Sequence, residues 1–436
     1  MKILYLDSIN LSFDFSLVSS PHSVNIIHSF ETVSQAISFF QLQAHFELIL
    51  YNPHIFIHLL EVDDFETDSF FSSMGLNCIP YTHPKDILHL SKKIEKSVIN
   101  GLASHSYKKK TDIGSSYRNK CVLVTGAGGS IGSELVVQLL ETGVGYCLCL
   151  DLSEFSIFNL KQKLSKLNFD NLKMVVGSIG DTHLLETIFK ENNVDIIINA
   201  SAYKHVSIMQ DNSYAALNNN VLFFINLLRT ASAFGIHEIV QVSTDKAADP
   251  SNVMGFSKLA CEQILTHANE YLSSSFNYSI VRFGNVIGSS GSVVPIFLDN
   301  IKDRNKLRIT DIQVERFMMQ IGDAVTLILR AASFRNNEIY ILDMGEPFKI
   351  LDLAQNVLKN SVFGFDKNLI EFVGLESGEK LTEILFTADE SNFMTQKEGM
   401  YVIGRRDDRF FSTSEMKLLF NGDLDFLHKK LLAIQE

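Results

Sequence analysis

The stretch VLVTGAGGSIGSEL, residues 122–135, decides the fold. An apolar run enters Gly126, Gly129 and Gly132 at spacing GxxGxxG, and a helical pattern leaves it. Glycines let the backbone turn tightly and approach a pyrophosphate, while the helix start offers free N–H groups and a positive dipole end. A glycine pattern alone is weak, because a packing turn produces one too. Here a strand precedes it, a helix follows, and Asp151 closes the next strand, LCLD, about 20 residues beyond Gly132. A carboxylate there accepts from both hydroxyls of an adenosine ribose and repels a 2′-phosphate. No arginine follows in DLSEFSIF, so NAD is favoured over NADP. Ser130 and Ile131 complete the cofactor loop. Ser178 and Ile179 end a third strand and Ala200, Ser201 and Ala202 a fourth, positions suited to flank adenine and the nicotinamide ribose.

Outward from this loop, CVLVTG, YCLCLD, MVVGS, DIIINAS, EIVQVST and YSIVRF recur with helical stretches between them. That alternation predicts an α/β fold, a doubly wound parallel sheet of extended Rossmann type with helices on both faces. Ligands in such folds sit at the carboxyl ends of the strands. Past about residue 285 the alternation loosens, and helices near 294–303, 322–333 and 349–359 predict a smaller lobe. Upstream, ASHSYKKKTDIGSSYRN is polar and carries Lys108, Lys109 and Lys110, as a solvated connector does. The expected organisation is a small α/β unit over 1–102, a linker over 103–118, an NAD-binding domain with the reacting segment over 119–284, and mainly a nucleotide-sugar-binding lobe with its tail over 285–436. Asn52 and His83 stand roughly where a receiver-like domain keeps an acceptor aspartate and a lysine, but the segment is short for five βα units. A structural or assembly role is the alternative.

Composition narrows the class. With 46% hydrophobic and 20% charged residues the 436-residue chain is globular material, not disordered. A formal net charge of -12 argues against nucleic acid or an anionic membrane surface as the main partner, leaving basic pockets to be sought locally. Cys78, Cys121, Cys147, Cys149 and Cys261 fit neither a disulfide framework nor a zinc site. No metal is expected. The longest oily segment, VLFFINLL at 221–228, ends at Arg229, and MKILYLDS carries Asp7 early, so neither a membrane span nor an export signal is expected and the predicted location is cytoplasmic.

The reacting segment is STDKAADPSNVMGFSK, residues 243–258. Met254 and Lys258 lie four apart, on one face of a helix. Lys258 can hold the nicotinamide ribose, whereas Met254 has no group that accepts a proton. Proton transfer then falls to Thr244, Asp245 and Lys246 at the end of EIVQVST, where neighbouring carboxylate and ammonium groups can divide acid and base roles. A plain ion pair at a strand terminus is the bland alternative.

TGAGGSIGSEL, AYKHVSIMQ, STDKAADPSNVMGFSK, RFGNVIGSSGSVVPIF, LDMGEPFKILDLA and GLESGEKLTEIL, in this order, closely resemble the UDP-N-acetylglucosamine 4,6-dehydratases, a capsule and flagellin-glycan branch of the extended short-chain dehydrogenases/reductases. The likeness covers roughly 119–390. It is to the subgroup with methionine where others have tyrosine, here without membrane spans. It implies that hydride leaves sugar C4 for NAD, a base takes the C5 proton, water departs from C6 with acid help, and the hydride returns to C6. The implied roles are contact with the C4 hydroxyl for Thr244, protonation of the departing C6 hydroxyl for Asp245, and removal of the C5 proton for Lys246; Lys246 or a water takes the C4 hydroxyl proton. Lys204 and His205 would reach the sugar, while Asn285, Ser292, Val293 and Arg316 would line the nucleotide diphosphate and Glu379 would meet the uridine ribose. A UDP-sugar substrate and a homo-oligomer are expected. An epimerase and a catalytically silent NAD-binding protein are the competing readings. The chain departs from the family pattern at Ser290 and Glu376, both commonly arginine, at Ser377, commonly proline, and at Asn199, commonly histidine. Arg405 and Arg406 are available to compensate.

Overall fold

The computed structural model describes residues 113–435 apart from 168, 274, 290, 303–304, 360–366 and 404–409, together with five short strands nearer the N-terminus. The chain divides into two compact units, Met1–Val98 with Gln355–Lys367, and Ile99–Ala354 with Asn368–Glu436. In the first, the strands run Ile27–His28, Asp14–Val18, Ile3–Asp7, Leu48–Tyr51, Cys78–Pro80 across one sheet. Ile3–Asp7 and Asp14–Val18 pair antiparallel, unlike the all-parallel order of a receiver-like domain. Asn52, His83 and the three linker lysines lie outside the described residues.

The second unit is built on a nine-stranded sheet. Its strands are β1 (Cys121–Thr125), β2 (Tyr146–Asp151), β3 (Leu172–Val176), β4 (Ile196–Asn199), β5 (Glu238–Val242), β6 (Asn277–Arg282), β7 (Glu338–Leu342), β8 (Met394–Lys397) and β9 (Met400–Ile403). The order is β8-β9-β7-β6-β5-β4-β1-β2-β3. Strands β1 to β7 pair parallel and the last two add antiparallel at one edge. The six predicted strands are all present, because central strands covered on both faces read as unbroken apolar runs.

Alternation along these strands splits the core in two. Val122, Val124, Ile196, Ile198, Val240 and Val281 face one apolar cluster, with α1 (Ser130–Glu141) and α4 (Ile321–Phe334) packed over them. Leu123, Leu148, Ile197, Ile239 and Ile280 face the other, covered by α2 (Phe223–Ala233) and α3 (Val253–Tyr271). Each fully buried Val, Leu or Ile contributes about 1.5–3 kcal/mol, so this three-layer sandwich fixes the strand ends that carry the site.

Two observations bear on the expected organisation. The linker was drawn to 118, yet Gly114–Tyr117 is helical and buried Tyr117 donates from Oη to Leu329 O at 2.7 Å, tying the segment to α4. Its serine-rich composition hid one anchoring aromatic. Within 285–436, β7, β8 and β9 belong to the main sheet. The helices foreseen there are found at Val293–Lys302, Ile321–Phe334 and Ile350–Lys359.

Below the reacting segment lies a buried charge cluster. Arg282, on β6, donates from Nη2 to Glu262 Oε2 at 2.7 Å and from Nη1 to Glu390 Oε1 at 2.8 Å. Glu262 Oε1 also accepts from Ser243 Oγ at 2.5 Å. Burial alone would lower the Arg282 pKa, but the two carboxylates outweigh it and hold it above its ordinary value. Removing one partner of such a pair strands buried charge and costs about 3–5 kcal/mol. Arg282→Met is accordingly expected to lose about that much unfolding free energy in urea titration; an unchanged midpoint would show that water reaches these carboxylates.

Candidate active site

The sheet reverses its order between β1 and β4, and the crevice above this switch point is where α/β sheets bind ligands. Both loops that border it are in place. Gly126 has φ +66°, and a Cβ there would lie 2.8 Å from the backbone of Ala200 and Ser201. The loops after β1 and β4 therefore meet backbone to backbone. A Cβ on Gly132 would stand 2.0 Å from Gly126 O, and one on Gly128 2.4 Å from Ser156 Cβ. Gly128 is a residue the spacing argument missed, since it falls between the periodic glycines. Gly129 is the N-cap of α1, with Ser130 and Ile131 in the first turn.

Asp151 ends β2 and orders the loop. Its Oδ2 accepts from Gly128 N and its Oδ1 from Ser153 N, both at 2.9 Å. Each carboxylate oxygen retains a lone pair for a further donor. Ile179 is buried while Ser178 is half-buried and accepts from Gly180 N at 3.0 Å. Below Ala200, Ser201 and Ala202 a polar ladder crosses three strands. Asn199 Oδ1 accepts from Thr125 Oγ1 at 2.5 Å and from Ser201 Oγ at 2.7 Å, and its Nδ2 donates to Gln241 Oε1 at 2.7 Å. The glycine cradle, the carboxylate at the β2 end and the helix start fit an adenine dinucleotide.

At the end of β5, Asp245–Ala247 forms one turn of 3-10 helix. Asp245 is 2% exposed. Its Oδ1 accepts from Thr244 Oγ1 at 2.7 Å, Lys246 N at 2.9 Å and Lys246 Nζ at 3.1 Å. Its Oδ2 is buried without a partner and faces Gly284, whose Cβ would lie 3.1 Å away. A buried oxygen left unpaired costs about 1–3 kcal/mol, so this orphan is an opening for a ligand donor. Lys246 Nζ also meets Glu383 Oε1 at 3.4 Å. Glu383 was not foreseen from sequence.

Helix α3 carries Met254 and Lys258. Asn252 caps it, accepting from Gly255 N at 2.8 Å, and a Cβ on Gly255 would stand 2.4 Å from Lys246 O. The helix start is thus pressed onto the turn that bears Lys246. Lys258 is buried and donates from Nζ to Val242 O at 2.5 Å. Desolvation lowers its pKa, opposed by Cys261 and Glu262. Met254 is buried in the same apolar cluster as Phe256 and Ile264, so it supplies surface and no proton. Burial pushes the Cys261 thiol up to about 12, which keeps it protonated.

The remaining predicted residues divide into two groups. Lys204 and His205 reach the surface after β4, and the His205 ring lies where a Cβ on Gly291 would be, 2.5 Å from its Cε1. His205 thereby touches the turn leading into Ser292 and Val293. Desolvation and then the Lys204 charge lower the imidazole pKa. Ser292 Oγ is a second buried oxygen without a partner, just ahead of the helix that begins at Val293. Asn285 begins a short strand that pairs parallel with Met318–Gln320.

Arg316 and Glu379 are brought together, with Nη2 to Oε1 at 2.7 Å. Glu379 Oε1 also accepts from Thr310 Oγ1 at 3.1 Å, so its first task is to hold Arg316. Glu376 and Ser377 are exposed, which removes the low-dielectric setting in which the acid at Glu376 would repel a diphosphate strongly. Ser290, Arg405 and Arg406 lie outside the described residues. Among the described residues no cluster of His, Cys, Asp and Glu could hold a metal, and no helix is long and apolar enough to cross a membrane.

The sheet order, glycine cradle and strand-end Asp-Lys pair define an α/β protein of the extended short-chain dehydrogenase/reductase type. The profile of the family described as "Polysaccharide biosynthesis protein" matches residues 122–405. The chain belongs to that family. Capsular polysaccharide biosynthesis protein CapD of Staphylococcus aureus is 36% identical over 321 residues, 72% of this chain and 53% of that protein. The chain thus spans about half the length of that relative. A UDP-glucose 4-epimerase of Rickettsia bellii is 30% identical over 333 residues, 73% of this chain and 94% of that one. Among solved structures, the dTDP-glucose 4,6-dehydratase DesIV of Streptomyces venezuelae, with NAD bound, covers 70% of this chain and 98% of its own at TM-score 0.53. At 21% identity that likeness concerns the fold alone.

Proposed function

We propose that the protein dehydrates a UDP-N-acetylhexosamine, UDP-N-acetylglucosamine first among them, to the UDP-4-keto-6-deoxy sugar, with NAD as a tightly held cofactor. The observation that carries this reading is the strand-end pair: Asp245 saturated on Oδ1 by three donors, with Oδ2 buried and unpartnered. Bound NAD supplies a two-electron acceptor that is regenerated within each turnover. Gly126, Gly128, Gly129, Gly132 and Asp151 would hold its adenosine diphosphate half, and Lys258 its nicotinamide ribose.

The chain's own residues handle protons. Oδ1 of Asp245 already accepts three hydrogen bonds, so a proton on this carboxyl belongs on Oδ2, where it can pass to the departing C6 oxygen. Lys246, as the free amine, takes the proton from C5, which the C4 ketone has made acidic. Those two transfers turn amine and acid into ammonium and carboxylate, the ion pair seen at 3.1 Å. Oxidation at C4 releases the hydroxyl proton to water, Nζ gives its proton back to C5 when the hydride returns to C6, and a proton from water restores Oδ2 of Asp245, so the cycle closes. Thr244 donates to Asp245 and keeps lone pairs for the C4 hydroxyl.

Incubation with UDP-N-acetylglucosamine followed by mass spectrometry tests the reading. Loss of one water from the sugar nucleotide is expected. An isobaric product would instead favour the epimerase activity for which the Rickettsia bellii relative is named, and an unchanged nucleotide a silent binder; either outcome refutes the proposal.

A further inference from the structure

We infer that Glu383 is a positioning residue for Lys246, a second carboxylate beside Asp245 that holds its ammonium and sets how readily it becomes a free amine. The inference rests on the reading of Lys246 as the C5 base. Glu383 is 5% exposed, and its Oε1 stands 3.4 Å from Lys246 Nζ. The Lys246 side chain itself is 15% exposed. A carboxylate so deeply buried persists as an ion only with a compensating charge. Among the described residues, the carboxylates within ion-pair distance of Nζ are Asp245 from its own turn and Glu383. The α3 start, packed on the same turn through Gly255, brings Asn252, Val253, Met254 and Phe256, none of them titratable.

Two carboxylates do different work here. Asp245 has to give up its proton and recover it, so its hold on Nζ changes during a turnover. Among the described residues Glu383 pairs with no group but Lys246, which leaves the amine oriented when Asp245 is protonated. The segment bearing Glu383 also grips the nucleotide end of the site. Glu379 pairs with Arg316, Leu381 O accepts from Arg316 Nη1 at 3.0 Å, and Lys380 Nζ reaches Asp249 Oδ2 at 2.6 Å. Five consecutive residues thus connect the arginine expected at the diphosphate to the lysine at the reacting carbon.

The test is the rate at which Lys246 is modified by an amine-selective acylating reagent at fixed alkaline pH, read by peptide mass spectrometry with exposed Lys190 as the internal standard. In Glu383→Gln, loss of the anion favours the free amine, and Lys246 is expected to react about three- to tenfold faster than in the wild type. Glu383→Asp keeps the charge and is expected to stay near the wild-type rate. Equal rates in wild type and Glu383→Gln would overturn the inference. So would equal acceleration in both variants, which would mean that access and not charge had changed. Turnover supplies the separate arm. Glu383→Gln should lower kcat with KM little moved. If the wild type loses no water from UDP-N-acetylglucosamine, the dehydratase reading fails, while the labelling comparison still decides whether Glu383 governs Lys246.

Discussion

Lys246→Ala is expected to abolish water loss from the sugar nucleotide while NAD stays bound. General base catalysis contributes about 10²–10⁴-fold, so kcat should fall by at least that range's lower bound. The cofactor cradle is formed from the ends of β1, β2 and β4, and among the described residues the ion pairs of the Lys246 side chain are with Asp245 and Glu383, outside that cradle. Chemistry and cofactor retention should therefore separate in one variant. Mass spectrometry of the products reads the first, and NAD absorbance in the purified, denatured protein reads the second. Retained water loss would move the base role to another group. Loss of NAD along with turnover would mean that the β5 end supports the cradle mechanically.

The converse variant is Gly132→Val. Its Cβ would fall 2.0 Å from Gly126 O, a contact that no rotamer relieves because the backbone alone sets where Cβ lies and the other atom is backbone itself. The loop must shift, which costs about 1–3 kcal/mol in packing and moves the N–H donors of α1 away from a pyrophosphate. NAD binding has to force the loop back against that clash, so affinity should drop about 5- to 150-fold, 1.4 kcal/mol being a factor of ten. Calorimetric titration with NAD, alongside circular dichroism to show an intact fold, measures this. Binding within a few fold of wild type would remove the loop from the cofactor site.

Those two variants probe what the sequence made readable. The fully covered strands announced themselves as apolar runs, and the glycine loop had its strand, its helix and Asp151 at the right distance. The Asp245-Lys246 pair was visible because both groups are adjacent at a predicted strand end. Contacts made across the fold were not. Glu383 looks in sequence like one more charge in an amphipathic segment, and only folding sets it against Lys246. The same holds for Glu390 under Arg282 and for Tyr117, an aromatic in a polar connector that anchors on Leu329. Glu379 is expected at the uridine ribose from its motif, but its ion pair with Arg316 is a contact across the fold that periodicity does not report. The β8 and β9 edge escaped because antiparallel additions after a loosened pattern carry no helix-strand rhythm.

The ladder beneath the crevice bears on how this site can change. Asn199 accepts hydrogen bonds on its carbonyl oxygen from Thr125 and Ser201 and donates one from its amide to Gln241. An imidazole at that place has one nitrogen to give and one to receive, so it could not satisfy all three neighbours at once. The amide here and the hydroxyl of Ser201 are consequently a matched set. Histidine placed alone at position 199 should therefore leave a misfit buried beneath the crevice.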